Sequence, residues 1–295
     1  MFYQEVYIFR LFIDKNNSCI FPIFSQNLVE MQQRKISLIL GSGGARGISQ
    51  IGAIQWLVEQ GLEIDEVVGC SIGSLVGAAF AGGKVNDLGD WMSKLTKREV
   101  FRLMDFSDPR FGFLKGSKVM RTLQEVFEDV DIENLPIRYT AVATDLASEQ
   151  EVVFRTGSIY SAIRASIAIP AVFQGIHHEN QFLVDGGVLN PVPVNHVQNA
   201  DNIKIVINLD GVPHATNLKV YSKLNAIGIL QESYMAMRRR LCMLSMQLYR
   251  PDYIINVPSD VSGVWDFDRS SDLIKVGYQL AKDTLSEHLD TIKKS

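Results

Sequence analysis

Two neighbouring stretches, "KISLILGSGGARGISQIGAIQWLVEQG" at residues 35–61 and "DEVVGCSIGSLVGAAFAGG" at 65–83, constrain the fold more than any other part of the chain. In each, an apolar run too short for a helix passes through glycines into a longer segment with helical spacing of its apolar residues. The first reads as a buried strand, a glycine-rich turn and a helix closed by Gly61. The second reads as a short strand and a small-residue helix ended by Gly82 and Gly83. A βαβα opening predicts a three-layer α/β/α protein with a largely parallel central sheet, because parallel strands need crossover connections that lay helices on the sheet faces.

Further on, residues 84–135 read as mostly helical and more polar, and Trp91, Phe101, Phe106, Phe111 and Phe113 are candidates for a cap over a site. Strand signals return in "RYTAVATDL", "EVVF", "FLVD" and "IKIVINL", with a helix in "SIYSAIRAS". Two helical stretches, about 219–249 and 270–292, flank a strand-like "DYIINV". Without repeats or a linker, one domain over 31–295 is expected. Residues 1–30 are apolar and aromatic but interrupted by Glu5, Arg10, Asp14 and Lys15, and they lack the pattern of a signal peptide. They are expected to form an extension outside the catalytic fold, with the natural start near Met31 and a cytoplasmic location.

The 295 residues carry a formal net charge of −4, which argues against nucleic acid as a partner. Cys19, Cys70 and Cys242 are scattered without metal-ligand spacing, so no metal site is expected.

"GCSIG" places Ser71 between Gly69 and Gly73 at a strand-to-helix junction, the context in which a G-x-S-x-G match means an exposed nucleophile. A helix N-cap serine with packing glycines is the bland alternative. A serine needs a base. His177 and His178 lie in a polar turn, His196 follows "NPVPV", and His214 and His288 complete the set; none follows a strand into a glycine turn. Asp185 does, in "FLVDGGVLNPVPV", where Gly186 and Gly187 let the backbone turn away from the carboxylate. Reactive groups gather at the carboxyl ends of parallel strands, so Ser71 and Asp185 are expected to meet there. Partial desolvation would raise the carboxylate pKa and make a two-residue device workable.

The glycine turn fails as a dinucleotide fingerprint because Arg46 stands where G-x-G-x-x-G from Gly41 needs glycine, and no Lys-Ser or Lys-Thr makes it a P-loop. It fits an oxyanion hole, with the N–H groups of Gly43 and Gly44 beside Ser71. Arg46 either braces the loop, attracts an anionic headgroup or forms an ordinary salt bridge.

These stretches together, in this order, resemble the patatin-like phospholipase family. "SGGARG" is similar to its glycine-rich oxyanion motif, including Gly47; "GCSIG" to its nucleophile elbow; and Asp185–Gly187 to its Asp-Gly-Gly motif. The resemblance runs through "VATDL" and "AIRASIAIPAVFQGI", over about residues 35–210. The tail, including "VWDFDR", is similar to small bacterial members related to neuropathy target esterase catalytic domains. It implies Ser71 as nucleophile, Asp185 as its base, Gly43 and Gly44 as oxyanion donors, and hydrolysis of lipid carboxylic esters through an acyl-serine without metal or cofactor. Phospholipid or lysophospholipid is the implied substrate. Ser42 departs from the family's usual first glycine, and "ASEQEVVF" lacks the Thr-Gly often found there.

For contact with lipid, "AIGILQESYMAMRRRLCMLSMQLYR" offers methionines, aliphatics and Arg238, Arg239 and Arg240 on one helix, a pattern that equally fits a core-facing stripe. Peripheral membrane contact is thus an expectation. The competing readings are an esterase with a Ser-His-Asp triad, for which His288 suits the chain order, and an inactive lipid- or nucleotide-binding module.

Overall fold

The structure, a computed structural model, describes residues 34–106, 114–214 and 225–294. The expected extension over 1–30, Phe111, Phe113 and the first residues of the helix expected from 219 lie outside the described residues. The chain divides into two units, Met1–Gln32 and Gln33–Ser295, and all described residues belong to the second.

Strand β1, Ile36–Leu40, is buried at all five positions, as a strand covered on both faces must be. It pairs in parallel with β2, Ile64–Cys70, on one edge and β7, Ile203–Gly211, on the other. Strand β3, Arg138–Asp145, extends the sheet in parallel from β2, and β8, Tyr253–Pro258, from β7. Successive side chains alternate between the faces. Leu38, Leu40, Ile205, Ile207 and Ile255 join the main core with residues of helices α1, Ser49–Glu59, α2, Ile72–Ala81, and α8, Ser270–Leu285. Ile39 and Val206 point the other way, into a second cluster with Val192, Val194 and Cys242 of helix α7, Ala226–Tyr249. The expected three layers follow from that alternation. The sheet is mixed but mostly parallel.

The other strands are antiparallel. β4, Gln150–Phe154, pairs with residues 141–145 of β3. β5, Ile176–His178, and β6, Gln181–Asp185, form a hairpin. The polar "HHENQ" signal marks only its turn, and His177 and His178 belong to β5. β6 also pairs with residues 143–145 of β3. A strand has two edges, so the registers fix the layout. β4 overlaps β2 along β3 and must take the opposite edge; β6 overlaps β4 and must therefore share the edge used by β2. Cys70 faces Val142 and Asp185 faces Ala143, so β6 takes over where β2 leaves the sheet.

Helices α3, Val85–Ser93, α4, Lys97–Leu103, and α5, Ser117–Leu123, bear out the helical reading of 84–135 where it is described. The short α4 starts at a capping box between Thr96 and Glu99 and has no buried residue. Helix α6, Ile159–Ser166, matches "SIYSAIRAS", and the helical stretch near the C-terminus is broken after Leu285 by a 3-10 turn, Ser286–His288, before α9, Leu289–Lys294. Among the described residues no helix is long and apolar enough to cross a membrane.

Candidate active site

Ser71 follows β2 directly and caps α2 with φ 55° and ψ −126°, a left-handed conformation that costs a non-glycine residue about 1–3 kcal/mol. The turn needs close backbone approach: a Cβ on Gly73 would lie 2.3 Å from the Leu40 carbonyl oxygen, and one on Gly69 would lie 2.4 Å from that of Gly73. The elbow is also tethered. The Ser71 N–H donates to Ser166 Oγ at 2.9 Å, and that hydroxyl donates to the Val142 carbonyl of β3 at 2.7 Å. Because glycine alone relaxes at positive φ, Ser71→Gly is expected to be more stable than Ser71→Ala by about 1 kcal/mol. Urea unfolding of the two variants measures this, and equal stabilities would remove the strain.

The Ser71 hydroxyl donates to Asp185 Oδ2 at 2.5 Å across 114 residues of sequence. Both residues are buried. They meet for a reason other than the expected one. Ser71 stands at the carboxyl end of a parallel strand, but Asp185 arrives on antiparallel β6, which abuts the end of β2 along β3. Asp185 Oδ1 accepts the Gly187 N–H at 2.7 Å. Burial pushes the Asp185 pKa up to about 6, against the opposing pull of the Ser71 hydrogen bond, the Gly187 N–H and the charge of Arg238. Such a carboxylate is ionised at neutral pH yet a stronger base than an exposed one.

In the glycine loop most polar groups are taken. The Gly41 N–H donates to the Ile207 carbonyl at 3.1 Å, Ser42 N–H to Pro191 at 2.9 Å and Ala45 N–H to Val264 at 2.9 Å. The Gly41 carbonyl accepts from Gln50 Nε2 at 2.8 Å, and the Gly43 carbonyl from Arg46 Nε at 3.2 Å. The N–H groups of Gly43 and Gly44 donate to no group among the described residues. In a trans peptide the carbonyl and N–H point opposite ways, so fastening the Gly43 carbonyl to Arg46 turns the Gly44 N–H away from the guanidinium. Gly44, at φ 60°, opens the 3-10 turn Gly44–Ile48 and lines the same cavity as Ser71. Gly47 lies against Ile72 at the start of α2.

Arg46 is a brace. It is 4% exposed, and besides Gly43 it donates to the Ser259 carbonyl at 2.8 Å and to Asp210 Oδ1 at 3.2 Å; a buried guanidinium so engaged offers nothing to a headgroup. Asp210 Oδ1 also accepts from Arg238 Nη2 at 2.7 Å, and Arg238 Nη1 donates to Ser42 Oγ at 2.9 Å. Burial is the largest influence on Arg238 and lowers its pKa, but the combined pull of Asp210 and the other acidic groups around it, Asp185 among them, leaves it raised; for the more distant Arg46 burial prevails. The expectation that Arg238, Arg239 and Arg240 form one cationic flank is therefore corrected: Arg238 is buried, and Arg240 is exposed. Ser166, Gln50 and Asp210 carried no sequence signal, since a buried hydroxyl, amide or carboxylate declares its role only through its partner.

A cavity of about 130 Å³ opens beside Ser71. Apart from Ser71 its lining is apolar, with Leu75, Trp91, Leu103, Phe173 and Trp265 among the side chains. Of the expected cap aromatics, Trp91 faces this cavity, while Phe101 and Phe106 are each 63% exposed with ring centroids 6.1 Å apart.

Among the described residues, which include all five histidines, no histidine is hydrogen-bonded to Ser71 or Asp185. His196 pairs with Glu151 at 2.6 Å, His214 with Asp260 at 3.1 Å, and the His177 ring packs on Phe182; His178 is exposed on the hairpin. The His288 ring lies 5.3 Å from that of Tyr253, at the first residue of β8 and so at the edge of the parallel sheet opposite Ser71.

A family model described as patatin-like phospholipase matches residues 38–197. An uncharacterized NTE family protein of Mycobacterium bovis is 42% identical over 179 residues, 60% of this chain and 49% of that protein. Human patatin-like phospholipase domain-containing protein 6 is 28% identical over 277 residues, 84% of this chain and 20% of that protein. The chain thus spans half or less of these curated relatives. Among solved structures, VipD from Legionella pneumophila superposes with a TM-score of 0.50 at 14% identity, covering 87% of this chain and 67% of that one, a likeness of fold alone. The family match covers more than half of the 295 residues, and both members of the Ser71–Asp185 pair fall inside it: the chain belongs to the patatin-like phospholipase family.

Proposed function

We propose that the chain is a serine acyl hydrolase that cleaves carboxylic esters of phospholipids or lysophospholipids. One observation carries this reading: a strained serine hydroxyl donates to a buried carboxylate at 2.5 Å, beside an almost wholly apolar cavity. Ser71 Oγ attacks the ester carbonyl as its proton passes to Asp185. The carbonyl oxygen takes up negative charge against the N–H groups of Gly43 and Gly44. Collapse breaks the bond to the alcohol oxygen, which takes the proton from Asp185 and leaves. Water then attacks the acyl-serine, giving its proton to Asp185; collapse breaks the bond between Ser71 Oγ and the acyl carbon, Ser71 Oγ takes the proton back from Asp185, and the fatty acid leaves.

The cavity suits an acyl chain because, away from Ser71 and Gly44, its aliphatic and aromatic lining gives little compensation to a buried polar group. Contact with a membrane is proposed through the outer side of α4, where Phe101 is exposed and Lys97, Arg98 and Arg102 add positive charge, since the same helix lines the cavity through Val100 and Leu103.

A lipid panel tests the reading. The purified chain should release fatty acid from lysophospholipid or phospholipid and be labelled at Ser71 by a fluorophosphonate. If it turns over no ester and Ser71 stays unlabelled, an inactive lipid-binding module is the better description.

A further inference from the structure

We propose that Arg238 is a positioning residue of this site: through Ser42 and Asp210 it holds the glycine loop in place, and it leaves one uncompensated positive charge beside the Ser71–Asp185 pair. The inference rests on the hydrolase reading above. Arg238 comes from α7, and neither it nor Asp210 falls within the residues that the family model matches.

Three observations support it. First, Arg238 is 4% exposed, and its forked donors reach two groups that matter to the loop: Ser42 Oγ at 2.9 Å and Asp210 Oδ1 at 2.7 Å. Ser42 precedes Gly43, while Asp210 also holds Arg46, which fastens the Gly43 carbonyl. The two arginines therefore grip the loop at consecutive residues through one shared carboxylate. Second, Arg238 Nε is buried and has no hydrogen-bond partner. Third, two guanidiniums against one carboxylate leave an excess of one positive charge where the side chains are 5%, 5% and 1% exposed. Removing charge from water is costly without a counter-charge, so a purely structural brace would gain by omitting it.

The missing negative charge is the one the reaction moves. With Asp185 ionised the four buried groups balance. As Ser71 gives its proton to Asp185 the negative charge passes to the substrate oxygen at Gly43 and Gly44, still beside the same cation. The other groups around Asp185 do not compete for this part. The Ser71 hydroxyl and the Gly187 N–H are neutral donors. Burial pushes the Cys70 thiol of β2 and the Tyr234 phenol of α7 upward, so both stay neutral. Glu151 of β4 is paired with His196 and Asn190.

The test compares wild type, Arg238→Met, Arg238→Lys and Ser42→Ala on a soluble short-chain nitrophenyl ester, with kcat, KM, the pH profile of kcat/KM and the rate of fluorophosphonate labelling. Arg238→Met should lower kcat by about 10²-fold, the scale of a small misplacement of the reacting groups, with KM little changed and the acid limb moved to higher pH. Arg238→Lys should return the limb to its wild-type position and recover part of kcat. Ser42→Ala should lose a smaller part of kcat with the limb unmoved, and it carries the test if Arg238→Met does not fold. Wild-type kcat in Ser42→Ala, or an acid limb that Arg238→Met and Arg238→Lys leave equally unmoved, would overturn the assignment. An active wild type with unaffected variants sinks only the Arg238 role. A wild type that neither turns over ester nor is labelled at Ser71 sinks the hydrolase reading and this inference with it.

Discussion

Ser71→Ala is expected to abolish ester turnover, with a loss of about 10⁵- to 10⁶-fold in kcat, the scale seen when a serine nucleophile is removed. The hydroxyl is the group that would bond to the acyl carbon, and a water in its place would lack its fixed 2.5 Å contact with Asp185. The elbow itself should persist, because its tethers run through the Ser71 N–H to Ser166 and through its carbonyl to Ser74. Unchanged circular dichroism with complete loss of fluorophosphonate labelling is the predicted pair of results. His288→Ala, at the far edge of the sheet, should retain wild-type kcat. Turnover in Ser71→Ala within tenfold of wild type would move the nucleophile elsewhere.

Asp185→Asn should cost about 10⁴-fold or more in kcat, comparable with the loss of the carboxylate from a serine triad; here the carboxylate would be the sole base. It also has a signature in stability. The folded pKa of about 6 lies above the reference value of 3.8, chiefly through burial. The folded chain therefore holds this proton more tightly than the unfolded chain, and the associated stability is fully present below about pH 4 and lost as pH rises through 6. Across that window wild type should lose stability relative to Asp185→Asn, by roughly 3 kcal/mol at most. Urea unfolding of both proteins from pH 4 to 7 measures the difference, and a gap that does not vary with pH would mean that the carboxyl is not shifted. The same group predicts that wild-type kcat/KM falls as pH drops below about 6, because protonated Asp185 cannot take the Ser71 proton.

Ser71, Asp185 and the glycine loop were legible in the sequence because each depends on local geometry. An elbow needs small residues where backbones touch, and Gly69 and Gly73 announce it; Asp185 ends an apolar run just before two glycines. The buried strand β1 was legible for a similar reason, since a short run that is apolar at every position but Ser37 suits a strand covered on both faces. By contrast, β5 is three residues long with two exposed histidines, and no periodicity can be read from so short a segment. Arg238 looked like part of a cationic surface because its neighbours are arginines, yet successive helix residues are rotated by about 100°, so Arg238 is buried while Arg240, two positions on, is exposed.

The sequence by itself determined the layered α/β fold, the elbow at Ser71 and the identity of its partner, since spacing and residue size govern local turns and buried faces. Only the tertiary structure decided how the partners meet: β6 runs antiparallel and takes over the edge of β3 that β2 vacates, bringing together residues 114 positions apart. It alone decided that Asp210 and Arg238 stand behind the glycine loop. The physical reason is the same in both cases. Hydrophobic periodicity specifies which face of an element is buried, while the identity of what it is buried against depends on strand register and on ion pairs that link distant parts of the chain.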